Sequence, residues 1–225
     1  MKDGRRESKD ERKESKDESQ KSKAKNVLKG IDTVIFDLDG TLYDKKGLAK
    51  RVVKKLWWCL PLLAAERLAR RTAHYVQFAS EEEFFGAFFA TMARGHWWGP
   101  RIAAEWYHRI YMPTMIKMIR KYHHPRPEVM ALVDECRERG ICMAIYSDYG
   151  SVVEKLEALG IDPNLFELRI SAPELGALKP SEPCARRVME MLQAVPETTL
   201  FVGDREEKDG ASARNVGARF LLIKN

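Results

Sequence analysis

The apolar run Val34-Ile35-Phe36 stops at Asp37-Leu38-Asp39-Gly40-Thr41. A strand that ends in two carboxylates one residue apart, followed by glycine, is a poor core element. Period-two alternation aims Asp37 and Asp39 the same way, just beyond the strand. Like charges that close repel unless a cation or a proton intervenes. The pair is therefore a metal site, an acid/base pair, or a turn with incidental acids.

Later segments repeat the pattern. Ile141 to Tyr146 reads as a second buried strand and stops at Ser147-Asp148. Lys179-Pro180 follows a short loop. Leu200-Phe201-Val202 reads as a third strand and stops at Gly203-Asp204, with Asp209 five residues on. In an open α/β sheet, ligands bind outside the carboxyl ends of the strands. Asp37, Asp39, Ser147, Lys179, Asp204 and Asp209 are thus expected to converge on one crevice.

The remaining rhythm fits such a sheet. Asp32 to Phe36 is strand one. Val129, Leu132, Val133 and Cys136 recur at helical spacing, closed by Gly140. Val152, Leu156 and Leu159 form another helical stripe, closed by Gly160. Phe166 to Ile170 is a short strand, and Ser181 caps a helix with Pro183 in its first turn. Strand 199–202, a helix within 209–217 and strand 219–223 complete it. The expected fold is α/β, a doubly wound and mostly parallel sheet.

Residues 46–126 differ in character. Helical stretches dominate, with Ile102, Trp106 and Ile110 repeating on one face. All five tryptophans and all five histidines lie here. Fifteen Lys and Arg stand against five Glu, a net of +10. Either that charge draws an anionic substrate to a crevice, or it coats an outer face while the tryptophans fill the segment's own core. The histidines show no metal-ligand spacing beyond His123-His124 and read as structural or surface. Trp57-Trp58-Cys59-Leu60-Pro61-Leu62-Leu63 is a core stretch, a platform for a substrate, or an interfacial patch.

Residues 1–26 are almost all charged or polar, with net charge +3. Such a segment buries too little to offset its ordering entropy, so a solvated tail is expected. A docking arm for an anionic surface is the other reading. The four cysteines, Cys59, Cys136, Cys142 and Cys184, form no close pairs and read as reduced, which suits a cytoplasmic protein. No apolar run approaches the roughly 18–20 residues that span a bilayer, and the N-terminus lacks the apolar stretch of a secretory signal.

The four motifs in this order resemble the haloacid dehalogenase (HAD) superfamily. Asp37 to Leu42 resembles its first motif, Ser147 its second, Lys179 its third, and Gly203-Asp204 with Asp209 its fourth. The runs Leu178 to Pro183 and Phe201 to Gly217 are similar to the phosphoglycolate-phosphatase-like branch. The resemblance implies a Rossmann-like core over 27–45 and 127–225, with 46–126 inserted as an all-helical cap. It also implies Mg²⁺-dependent hydrolysis of a phosphomonoester on a small anionic metabolite. Asp37 would be the nucleophile and form an aspartyl-phosphate. Asp39 would protonate the leaving oxygen and later take a proton from water; neighbouring acids are expected to raise its pKa. Asp37, the Asp39 carbonyl and Asp204 would ligate Mg²⁺, with Asp209 holding a metal-bound water or positioning Lys179. Gly40, Thr41, Ser147, Asp148 and Lys179 would hold the phosphate, helped by a helix starting near Gly150.

A dehalogenase needs no acid for an oxygen leaving group, so Asp39 favours phosphoryl chemistry. Two alternatives stay open. One is a phosphomutase. The other is a catalytically idle module binding nucleic acid or an anionic membrane through cap and tail. Clustered acids at every motif argue against the idle module. Oligomeric state is not legible.

Overall fold

The computed structural model describes residues 26–74 and 76–224; the tail expectation falls outside them, except for Asn26. Five parallel strands form one sheet: β1 (Thr33–Phe36), β2 (Cys142–Ser147), β3 (Leu168–Ser171), β4 (Thr199–Gly203) and β5 (Arg219–Leu222). Their order is β3-β2-β1-β4-β5. β1 pairs with β2 on one side and β4 on the other, so the chain switches direction about β1. Phe36 lies level with both Ile145 and Val202. The three strands therefore end together, at the place where an open sheet leaves a crevice.

β1 is fully covered. Val34 and Phe36 pack into one apolar cluster and Ile35 into another, on opposite faces. Burying each such side chain contributes about 1.5–3 kcal/mol, which anchors the strand that presents Asp37.

The helices of the core are α6 (Pro127–Glu138), α7 (Val152–Ala158), α8 (Glu182–Met191) and α9 (Ala211–Asn215). Ser181 caps α8 by accepting from the Cys184 N–H at 3.3 Å, and Pro183 lies in the first turn, as the sequence indicated. All four cysteines are free.

Between β1 and α6 the chain is helical: α1 (Leu48–Lys55), α2 (Leu60–Thr72), α3 (Glu81–Ala93), α4 (Pro100–Trp106) and α5 (Met112–Tyr122). This is the inserted helical cap on a Rossmann-like core. Ser80 caps α3, and Glu81, Glu82 and Glu83 occupy its positive first turn.

The segment's apolar stripe is only partly buried, and one of the two readings of its tryptophans is not met. The stripe Ile102, Trp106, Ile110 is not one buried face: Trp106 is buried and Ile102 is exposed. The inward positions are Ala103, Trp106, Tyr107 and Tyr111, at ordinary helical spacing; a π turn spans Tyr107–Tyr111. Nor do the tryptophans together fill the cap. Trp98 and Trp106 are buried, but Trp57, Trp58 and Trp97 are 69%, 59% and 87% exposed. The interior is phenylalanine and tyrosine, with Phe84, Phe85, Phe88, Phe89 and Tyr107 in edge and stacked contact. Their i, i+4 spacing on α3 was the overlooked signal. Among the described residues no helix is long and apolar enough to cross a membrane.

Candidate active site

The Asp37 N–H donates to the Val202 carbonyl at 2.8 Å, which continues the β1–β4 ladder by one residue and turns its buried side chain into the crevice. Lys179 reaches it from the loop before α8. Its Nζ donates to Asp37 Oδ1 at 2.7 Å, Asp209 Oδ1 at 2.5 Å and the Tyr146 carbonyl at 3.0 Å. Thr41 Oγ1 donates to Asp37 Oδ2 at 2.9 Å.

The fourth motif is shaped by a π turn over Glu206–Gly210. Its wide coil brings the Gly210 N–H onto the Arg205 carbonyl at 3.2 Å, which the Asp209 N–H also reaches at 2.8 Å, and the Asp209 carboxylate lies close to that of Asp204. Gly203 is required there: a Cβ on it would collide with the Asp209 side chain. Asp37, Asp204 and Asp209 each offer an oxygen within 4.8 Å of the others. Three hard oxygens so close suit a divalent cation such as Mg²⁺. A second observation supports the fit: the Lys45 ammonium, a stand-in cation, already sits on Asp204 Oδ2 at 2.6 Å.

Electrostatics separate the two acids of the first motif. Burial pushes Asp37 up to about 7, aided by Asp209 and Asp39 and opposed by Lys179. Burial raises Asp39, but Lys155, the Tyr43 hydroxyl and Lys45 together outweigh it, so Asp39 lies below the usual carboxylate range. The expectation of a raised Asp39 pKa is therefore corrected. The main physical reason is Lys155, fully buried on α7, whose Nζ donates to Asp39 Oδ2 at 2.7 Å. Tyr43 donates its hydroxyl to Asp39 Oδ1 at 2.6 Å, and Ser147 Oγ donates to Asp39 Oδ2 at 3.3 Å. What α7 brings to the site is this ammonium.

Asp148 is held as a carboxylate below its ordinary range; burial opposes this, and Lys179 and Lys208 outweigh it. It accepts from the Lys179 N–H at 2.7 Å and from Lys208 Nζ at 2.5 Å. Gly40 lies beside Asp39 with a φ of +108°, and a Cβ there would meet the Asp204 carboxylate. The structure thus brings Asp37, Asp39, Gly40, Thr41, Ser147, Asp148, Lys179, Asp204 and Asp209 to one sheet end.

The site opens into a cavity of about 590 Å³ beneath the cap. Its far wall is apolar: Leu48, Val52 and Val53 from α1, Leu63 from α2, and Met115 from α5. Arg67, Arg71, Arg205 and Lys208 line it as well. Arg70 ties cap to core, donating to Glu66 at 2.9 Å and to the Asp148 carbonyl at 3.3 Å, with its guanidinium 3.9 Å from the Tyr149 ring centroid. The basic cap is therefore divided. Arg67, Arg70 and Arg71 face the cavity, whereas Lys54, Lys55, Arg94, Arg101 and Arg109 are exposed and do not line it. His74 also lines the cavity, a place its sequence context did not reveal.

The family profile described as "haloacid dehalogenase-like hydrolase" matches residues 31–217. No curated protein matches the chain by sequence. Among solved structures, CbbY from Rhodobacter sphaeroides is similar over 87% of each chain at 18% identity, with a TM-score of 0.60. A predicted phosphoglycolate phosphatase from Haemophilus somnus covers 86% of this chain and 85% of its own at 18% identity, TM-score 0.56. L-2-haloacid dehalogenase from Xanthobacter autotrophicus covers 86% and 77% at 19% identity, TM-score 0.55. At these identities the likeness is one of fold. With the profile spanning most of its length, the chain belongs to the haloacid dehalogenase-like hydrolases.

Proposed function

We propose that the protein is a cytoplasmic, Mg²⁺-dependent phosphomonoesterase that works through an aspartyl-phosphate on Asp37. The observation that carries this reading is the convergence of Asp37, Asp204 and Asp209 within 4.8 Å, with Asp39 beside them under its own lysine. A carbon–halogen hydrolase has no use for that second acid. CbbY, similar in fold, has been seen with xylulose-1,5-bisphosphate and with phosphate, which accords with a phosphate at this sheet end.

In the proposed reaction an Asp37 oxygen attacks phosphorus and the bond to the leaving oxygen breaks. Lys179 holds Asp37 in line and offsets the charge gathered there. Asp39 handles the proton, while Lys155, Tyr43 and Ser147 fix its direction. As a carboxylate, Asp39 suits the second step, taking a proton from the water that attacks the aspartyl-phosphate. In the first step it must carry a proton, and a phosphomonoester monoanion brings one. Mg²⁺, held by Asp37, the Asp39 carbonyl and Asp204, would neutralise phosphoryl charge and help align the groups. Asp209 positions Lys179. Ser147 and the backbone around Gly40, Thr41 and Asp148 would hold phosphate oxygens. In this reading residues 27–45 and 127–225 perform the chemistry, and 46–126 closes over it and selects the substrate. Arg67, Arg71, Arg205 and Lys208 favour a substrate with a second anionic group.

The test is a panel of phosphomonoesters assayed for inorganic phosphate after chelation and again after Mg²⁺ is restored. Metal-dependent phosphate release is expected. Hydrolysis that survives removal of the metal would sink the mechanism. Isomerised sugar phosphate without net phosphate release would point to a phosphomutase.

A further inference from the structure

The three carboxylates of the metal cluster are neutralised by two ammonium groups of different kinds. Lys179 has a side chain only 3% exposed and is locked by three bonds. Lys45 reaches in from the loop before α1, its side chain 31% exposed. Its Nζ lies 2.6 Å from Asp204 Oδ2 and 2.9 Å from the Asp39 carbonyl. Those two oxygens belong to the ligand set proposed above for Mg²⁺. Space for the ammonium is built into the chain, because a Cβ at Gly40 would sit 2.6 Å from Lys45 Nζ.

We infer that Lys45 is an internal competitor for the divalent cation, filling its place at Asp204 and the Asp39 carbonyl until the ion displaces it. The inference rests on the metal-dependent reading of the same site. An ammonium and a divalent ion cannot share both oxygens, since two positive charges in contact repel and the ion's own charge dominates such a site. The Asp204 side chain is 4% exposed and needs a cation in the metal-free protein. Lys45 supplies it and, being part-exposed at the end of a flexible stem, can leave for solvent or the cavity it lines. The Lys45 carbonyl also accepts from the Leu48 N–H at 3.0 Å, which begins α1. Exchange of lysine for metal is therefore felt at the root of the first cap helix, whose Leu48, Val52 and Val53 face the cavity.

The test compares the wild type with Lys45→Met and Lys46→Met by titration calorimetry with Mg²⁺ alone, together with metal-free melting. Lys46 is exposed, so its substitution removes the same charge without emptying the site. Lys45→Met should bind Mg²⁺ at least about tenfold more tightly than wild type and melt lower without metal, whereas Lys46→Met should stay within about twofold. Equal Mg²⁺ affinity in wild type and Lys45→Met would overturn the inference while leaving the metal-dependent reading intact, and so would equal tightening by both variants. No Mg²⁺ binding by any of the three would overturn both. Should Lys45→Met fail to fold, amine acylation of the wild type followed by mass spectrometry decides the matter. Saturating Mg²⁺ should raise labelling of Lys45 several-fold and leave Lys46 unchanged; unchanged labelling of Lys45 would defeat displacement.

Discussion

At the sheet end, Asp37 and Asp209 share Lys179, Asp39 holds Lys155, and Asp148 holds Lys208, all at 2.5–2.7 Å. Across the same cavity the cap offers Leu48, Val52, Val53, Leu63 and Met115, with Arg67 and Arg71 among them. On one side Asp37, Asp39, Asp148 and Asp209 each have a short ion pair with a largely buried lysine, and Asp204 is held by the part-exposed Lys45. On the other, Arg67 and Arg71 are exposed, Arg70 is paired with Glu66, and the deep surface is apolar. Removing one buried partner strands its mate in low dielectric, whereas removing an exposed charge leaves water to replace it. The sheet end should therefore be intolerant and set the reaction, and the cap should be tolerant and set the substrate.

The largest expected effect tests the intolerant side. Lys179→Met leaves Asp37 and Asp209 unpaired and should cost about 3–5 kcal/mol of metal-free stability, together with turnover. Added Mg²⁺ should restore part of the melting temperature but not the activity. A variant as stable as the wild type without metal would break the contrast.

Asp39→Asn comes next. Turnover of a poor alkoxide leaving group should fall by about 10²–10⁴, and that of a nitrophenyl phosphate by less. Equal losses on both would remove Asp39 from proton transfer to the leaving oxygen.

Asp148→Asn sharpens the electrostatic half of the account. The folded-state pKa of Asp148 is depressed, so its contribution is present above the unfolded value and lost as pH falls toward the folded one. The variant should be less stable by about 1.5–3 kcal/mol near neutrality. The gap should close as pH drops below about 4. A gap independent of pH would show that the pairing with Lys208 and Lys179 is not its source.

The smallest effect belongs to the cap. Arg67→Gln with Arg71→Gln should raise KM roughly 2–5-fold for a substrate with a second anionic group, leave kcat unchanged, and lose its effect as salt rises. A large fall in kcat would mean that these arginines act on the reaction itself.

The sheet and the gathering of polar residues at its edge were legible because they depend on local signals. Strand ends at Asp37, Ser147 and Gly203 follow from short apolar runs, and parallel register brings them level. The partners that tune those residues were not legible. Lys155 lies within the stripe Val152, Leu156, Leu159, one residue short of Leu156, so it sits on the buried face. A lysine at a buried helical position was the readable hint. Lys45 sits in the charged pair Lys45-Lys46, which resembles ordinary surface, and its role depends on Asp204 far along the chain. The stripe through Ile102 and Ile110 missed the buried face by one position: Ala103, Trp106, Tyr107 and Tyr111 carry it at helical spacing. The lowered pKa of Asp39 escaped for the same reason as Lys155: its cause is a contact across 116 residues.

Trapping the phosphoryl mimic trifluoroberyllate tests the central claim, that Asp37 is the nucleophile beside a divalent ion, most directly. Fluorine NMR of the wild type with Mg²⁺ and trifluoroberyllate should show a stoichiometric bound species that disappears on chelation and is absent in Asp37→Asn. A bound species that persists in Asp37→Asn, or that forms equally well without metal, would contradict the account.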